Sequence, residues 1–182
     1  PSPLNSEAHQ GDLSAVLLQN LNPLVNLIRV PKKPIILMDE WESKIKAIVE
    51  NTWNKDVNSL SGVPSWMLVL IKAVLKKTGR EYLTDVWPNL EVFFHGGISF
   101  EPYREQYKTL IPSDKMHYME TYNASEGFFG LQDDPTDPSL LMMPDYGIFY
   151  EFIPMNEVGN AHPTVLPLES DLIQLQMSIS CL

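Results

Sequence analysis

Leu90-Glu91-Val92-Phe93-Phe94-His95-Gly96-Gly97, the segment from Pro102 to Leu110, and Met116-His117-Tyr118-Met119-Glu120-Thr121-Tyr122 decide the fold of this 182-residue chain. The first piece is an apolar run with one Glu, bounded by Pro88 and by two glycines. Such a run reads as a strand buried on both faces, the signature of a parallel sheet. The second piece reads as a short helix. The third mixes aromatic and long apolar groups and reads as another strand. Strand, helix and strand form one βαβ unit, whose crossover is expected to be right-handed. The fold class is therefore α/β, a βαβ-containing partial sheet flanked by helices.

The second strand runs directly into Tyr122-Asn123-Ala124-Ser125-Glu126-Gly127-Phe128-Phe129-Gly130. Small and polar residues at the end of a strand suit a site in the crevice of an α/β sheet. Tyr122 offers a flat ring, Ser125 a hydroxyl and Glu126 a hard oxygen ligand for Mg²⁺. Those are the parts needed to hold a nucleotide. The competing reading is a buried strand followed by a loop with one solvated Glu. At His95-Gly96-Gly97, two glycines allow a tight turn and close approach of a ligand. A plain turn with a hydrogen-bonded core histidine explains the same residues.

Tyr122 to Gly130 resembles the second nucleotide signature, Tyr-x-Ser-Ser-Glu-x-x-x-Gly, of the auxin-responsive acyl-acid amido synthetases. These belong to the firefly-luciferase-like adenylate-forming enzymes. Ala124 stands where that pattern often has Ser, so the phosphate role carries over to Ser125 alone. Further points of similarity are Gly62-Val63-Pro64-Ser65-Trp66, Trp87-Pro88, Gly96-Gly97 and Tyr150-Glu151-Phe152-Ile153-Pro154. The resemblance extends from Gly11 to Glu169. It implies part of the large N-terminal domain of an enzyme that activates a carboxylic acid with ATP to an acyl-adenylate. The acyl group then passes to an amine, such as that of an amino acid. The resemblance assigns Tyr122, Asn123, Ala124, Ser125, Gly96 and Gly97 to the nucleotide, catalysis to Ser125 and Glu126, and Mg²⁺ to Glu126. The family's Ser/Thr/Gly-rich phosphate loop and its Tyr-Arg-x-Gly-Asp signature do not occur in these residues. The chain is thus expected to be a central fragment, inactive by itself. Which acid and which amine are used cannot be read, because the pocket is built mainly from other parts. The alternative function is a non-catalytic α/β interaction module.

Outward from this centre, Pro64 suits the first turn of a helix and Gly79 its C-terminal cap. Trp66, Met67, Leu70, Ile71, Val74 and Leu75 give that helix an apolar stripe. Asn58 to Val63 before it reads as a loop. Asp39 with Glu42 resembles a capping box, opening a helix with Trp41, Ile45, Ile48, Val49 and Trp53 on one face. Asp12 is placed to cap an apolar helix from Leu13 to Ile28, split at Pro23. Exposed apolar helices at 13–28 or 64–75 would favour a homo-oligomer. After the central motif, Asp133 to Pro138 is an acidic turn. Leu140 to Met143 and Gly147 to Ile153 read as a hairpin, and Leu172 to Cys181 as a weak final strand. Residues 1–10 form a loose arm, and 11–182 a single domain.

Composition narrows the function classes. Apolar residues make up 44%, normal for a packed domain, and the net charge is −10. That average field disfavours nucleic acid. One cysteine, Cys181, provides no disulfide framework and suits a reducing cytoplasmic setting. The four histidines have no zinc spacing. The sequence shows no signal peptide and no apolar run long enough to span a membrane.

Overall fold

The computed structural model describes residues 2–3, 9–10, 22–124 and 127–168. The expected helix from Leu13, the strand from Leu172, and Ser125, Glu126 and Cys181 lie outside these residues.

The first ladder pairs β1 (Ser2–Pro3) with β2 (His9–Gln10). Helical turns follow at α1 (Val25–Ile28) and α2 (Lys33–Ile36), then helix α3 (Trp41–Thr52). The cap of α3 is Glu40, whose carboxylate accepts hydrogen bonds from the backbone N–H of Glu42 at 2.9 Å and of Ser43 at 2.6 Å. This corrects the expected Asp39 capping box by one residue. Glu40 satisfies the free N–H groups of the first turn as well as Asp would, with a longer reach.

The central sheet follows. Its strands are β3 (Ser59–Gly62), β4 (Val92–Gly96), β5 (His117–Ala124), β6 (Gly127–Leu131) and β7 (Leu141–Met142), in that spatial order. Helix α4 (Pro64–Thr78) links β3 to β4, and α5 (Arg104–Leu110) links β4 to β5. β3, β4 and β5 are parallel, with Phe93 level with Tyr118 and His95 level with Glu120. The βαβ reading therefore stands. β6 and β7 return antiparallel, so the sheet is mixed. Asn58 to Val63, expected as a loop, contains β3. The Ser-Leu-Ser-Gly run carries little strand signal because only Leu60 faces the core.

Helix α4 begins at Pro64 and ends at Gly79, whose φ of 64° is left-handed. It buries Leu68, Ile71, Val74 and Leu75 against a core shared with Val49, Leu60, Leu83, Trp87, Leu90 and Phe93. Trp66, expected on this stripe, is instead 60% exposed and meets Trp41 edge-on at 4.7 Å. Alternation along β4 puts Phe93 and His95 on the covered face. Phe94, on the other face, is 36% exposed. Burial of this strand on both faces is thus not seen among the described residues.

The expected hairpin of residues 140–153 does not form. β7 pairs with β6, while β8 (Glu151–Phe152) pairs with β9 (Leu166–Pro167). Pro144–Tyr146 is a 3-10 turn ending at left-handed Gly147, and it sends the two runs to different partners. The acidic turn is present. Asp134 and Asp137 each accept hydrogen bonds from the backbone N–H two residues on, at 2.7 and 2.8 Å.

Candidate functional site

The carboxyl ends of the parallel strands set the geometry. β5 runs two residues past its expected end to Ala124, and β6 begins at Gly127 with Ala124 level with Gly127. Ser125 and Glu126, between them in sequence, lie outside the described residues. The register shifts between Tyr122 and Asn123. Such a bulge bends the strand and re-aims the side chain next to it. The Tyr122 ring is half-buried and packs against Phe129, with centroids 5.1 Å apart. Asn123 is exposed.

Gly96 and Gly97 serve different ends. A Cβ on Gly96 would lie 2.3 Å from the backbone oxygen of Thr121, so glycine here lets β4 and β5 come together. Gly97 has a φ of 82°, a left-handed turn. A Cβ there would meet only Val63 Cγ2, at 3.6 Å. Gly97 follows Gly96, the last residue of β4, which stands level with Thr121 of β5, the residue before Tyr122. We expect Gly96→Ala to lower stability by about 2 kcal/mol, because two backbones must move apart. Urea unfolding checks it, and a loss below about 0.5 kcal/mol would show that the strands separate freely.

Gly127 and Gly130, which bracket the two aromatics of the motif, answer to packing. A Cβ on Gly127 would strike Ile148 Cδ1 at 2.7 Å, and one on Gly130 would crowd Leu140 at 3.2 Å.

His95 is buried to 3% exposure and stacks on Phe100 at 4.2 Å. It is a core histidine, as the turn reading held, but its Nδ1 has no hydrogen-bond partner among the described residues. Burial, and secondarily the nearby Arg104 guanidinium, push its pKa down to about 4. Beside it is a cavity of about 160 Å³ lined by Arg104, Tyr118, Glu120, Gln132 and Thr136 among others. Burial raises the Glu120 carboxyl, and Arg104 lowers it by a smaller amount. Burial pushes the Tyr118 hydroxyl up to about 12. Gln132 bridges β5 and the acidic turn. It accepts from Glu120 N–H at 3.1 Å and donates to the carbonyls of Asp134 and Asp137 at 3.0 and 2.8 Å. Sequence reading missed this cluster, whose members come from four separate segments. The register that sets His95 level with Glu120 leaves no signal in the sequence.

Among the described residues no group of three His, Cys, Asp or Glu side chains could hold a metal ion, and no helix is long and apolar enough to cross a membrane. A model of the GH3 family N-terminal domain matches residues 2–116, well over half of the chain. No curated protein matches. The matched residues hold β3, α4, β4 and α5 and end just before β5. The segment from Tyr122 to Gly130 lies beyond them.

Proposed function

The chain belongs to the GH3 family, the auxin-responsive acyl-acid amido synthetases of the adenylate-forming superfamily, and from that premise we propose that it forms the adenine- and metal-holding segment of an ATP-dependent acyl-acid adenylating enzyme. The observation that carries this reading is the placement of Gly96 level with Thr121, the residues just before Gly97 and Tyr122, towards the carboxyl ends of two parallel strands. Ligands of open α/β sheets bind at such ends.

In this reading Tyr122 stacks on adenine beside Gly96-Gly97, with Asn123 and Ala124 along its edge. Ser125 donates to the α-phosphate, and Glu126 holds Mg²⁺. The metal supplies charge neutralisation as pyrophosphate leaves. The chain's own contribution is to position these groups before the reaction. An acyl-adenylate then gives its acyl group to an amine such as an amino acid. Residues 11–182 act as one part of a larger adenylation domain, because the triphosphate loop and the ribose-holding Asp signature do not occur in them. The setting is cytoplasmic.

ATP–pyrophosphate exchange tests this. The 182-residue chain alone should show none with any carboxylic acid. In a longer chain that carries it, exchange should appear, and Glu126→Gln should lower it roughly tenfold, about 1.4 kcal/mol of barrier. Ser125→Ala should cost less, since one neutral hydrogen bond is worth about 1 kcal/mol. Normal exchange with Glu126→Gln would remove the metal assignment, and exchange by the isolated chain would remove the fragment reading.

One observation favours a second reading, a non-catalytic interaction module. Leu24, Leu27 and Ile28 around α1 are exposed, Ile28 at 84%. A concentration-dependent oligomer in light scattering, abolished by Ile28→Asp, would show that this surface self-associates, and ATP–pyrophosphate exchange in a longer chain separates the two readings.

A further inference from the structure

The strands β4 and β5 part at one point. β4 ends at Gly96, level with Thr121, while β5 runs on to Ala124. From Tyr122 onward β5 has no β4 residue beside it in the ladder, and its register with β6 shifts between Tyr122 and Asn123. The Gly96-Gly97 turn and the segment that opens at Tyr122 therefore leave from the two sides of a fork.

Thr121 sits in that fork. Its Oγ1 donates across the strands to the His95 carbonyl at 3.1 Å. The hydroxyl has room because residue 96 is glycine: a Cβ there would lie 2.8 Å from Thr121 Oγ1, as well as 2.3 Å from the Thr121 backbone oxygen. The side chain missing at Gly96 and the one present at Thr121 are two halves of a single arrangement. Two consecutive glycines make a loose strand end, since neither packs a side chain and both are free to leave the extended region. Gly97 does leave it, with a φ of 82°. The Thr121 hydroxyl holds the last carbonyl before those glycines, and the bond is partly buried, where it keeps more of its strength than in open water.

We propose that Thr121 is a positioning residue for the nucleotide site: its hydroxyl keeps the Gly96-Gly97 turn in register with Tyr122, so that turn and ring meet the ligand in one fixed arrangement. This rests on the reading of Gly96, Gly97 and Tyr122 as nucleotide-holding residues. Thr121 touches no substrate in this role. It acts through the His95 carbonyl and through its own place before Tyr122. A site fixed in advance spends less ordering free energy when it binds. Loss of the hydroxyl therefore raises KM for the nucleotide more than it lowers kcat. A threonine can also stand in a strand for its β-branching alone. Under that plain role valine would serve as well as threonine. Positioning requires the opposite order, with serine sufficient and valine deficient.

Two measurements on the parent, Thr121→Val and Thr121→Ser test it. The first follows backbone amide exchange by NMR in the 182-residue chain, without nucleotide. Thr121→Val should speed exchange at residues 95–97 and 121–124 by about fivefold, the equivalent of one neutral hydrogen bond, with the amides of β3 and α4 unchanged. Thr121→Ser should stay within about twofold of the parent. The second uses a longer chain that carries these residues and performs ATP–pyrophosphate exchange. There Thr121→Val should raise KM for ATP by at least about fivefold while kcat and KM for the acid stay within about twofold, and Thr121→Ser should restore KM. Thr121→Ala takes the place of a Val variant that does not fold and should show the same two losses. A longer parent without exchange would remove the adenylation reading, and the amide comparison would still decide whether the hydroxyl joins the strands. Parent-like amide exchange in Thr121→Val, or faster exchange spread evenly over the chain, would overturn the joint. A Val enzyme with the parent's KM for ATP, or a Ser enzyme that shares the Val defect, would overturn the positioning role.

Discussion

Replacing Trp87 by alanine is expected to destabilise the chain by about 4 kcal/mol, the largest single loss from its core. Trp87 is 2% exposed and follows the 3-10 turn Leu83–Asp85, whose Leu83 carbonyl accepts its N–H at 2.8 Å. Its indole Nε1 donates to the Thr52 carbonyl at 3.1 Å, at the end of α3. One side chain therefore joins α3, the turn and the loop that leads into β4. The Ala variant loses the indole's transfer energy and leaves a cavity, because helices and strands pinned on three sides collapse only partly. The hydrogen bond adds little to the loss, since the Thr52 carbonyl keeps the Lys55 N–H at 3.0 Å. Trp87→Phe, which retains most of the volume, should lose about 1–2 kcal/mol. Urea unfolding of the three proteins checks the order. An Ala variant within about 1 kcal/mol of the parent would show that this loop contributes little to the cooperative unit.

What the sequence made legible follows from how local the signals are. Pro64 and Gly79 bracket α4 because each acts through its own backbone, and no distant residue can change that. The βαβ unit was readable because an apolar run, a short helix and a second run succeed one another with little between them. Ser59–Gly62 escaped because Ser-Leu-Ser-Gly takes its strand character from pairing with Val92 to His95, more than thirty residues away. The runs at 140–153 misled for the same reason. Each is too short to fix its own partner, and the 3-10 turn at Pro144 separates the two runs. Trp66 misled through size. A large ring at helical spacing suggests core, but a neighbouring Trp41 ring gives it a surface partner.

The site divides in the same way. Gly97 was recognisable because a left-handed turn after a strand needs glycine. Gly96 looked equivalent, yet its reason is the Thr121 carbonyl on the next strand, which the sequence cannot display. The cavity of His95, Arg104, Tyr118 and Glu120 was not legible at all. Arg104 reads as a solvated helix residue and Glu120 as a lone charge in a strand; the register of β4 on β5 sets Glu120 level with His95, and α5 brings Arg104 to the same cavity.

His95 should also make the fold sensitive to mild acid. Its ordinary pKa of 6.5 falls to about 4 in the folded chain, first because burial penalises the imidazolium and second because Arg104 is near. Between these values the unfolded chain binds a proton that the folded chain refuses, so stability rises with pH there. The neutral-His contribution is therefore complete above pH 6.5 and disappears as pH falls towards 4. The interval corresponds to about 3 kcal/mol. Glu120, on the same cavity, works the other way. Its carboxyl is raised by burial, so the stability it lends is present at low pH and lost as pH rises through its raised value, which offsets part of the His95 limb. Hydrogen bonds hold Asp134, Asp137, Glu40 and Glu157 below their ordinary values of 3.8 and 4.5, through Thr136, Ser139, Ser43 and Thr164 respectively. Their contribution is lost only in stronger acid. His95→Phe separates the terms, since it keeps a ring against Phe100 and removes the titrating nitrogens. Urea midpoints measured from pH 7 down to pH 4 should fall for the parent and stay nearly level, or rise slightly, for His95→Phe. Both proteins should then lose stability together below the carboxylate range. Parallel curves across the whole interval would show that another group, not this imidazole, takes up the proton.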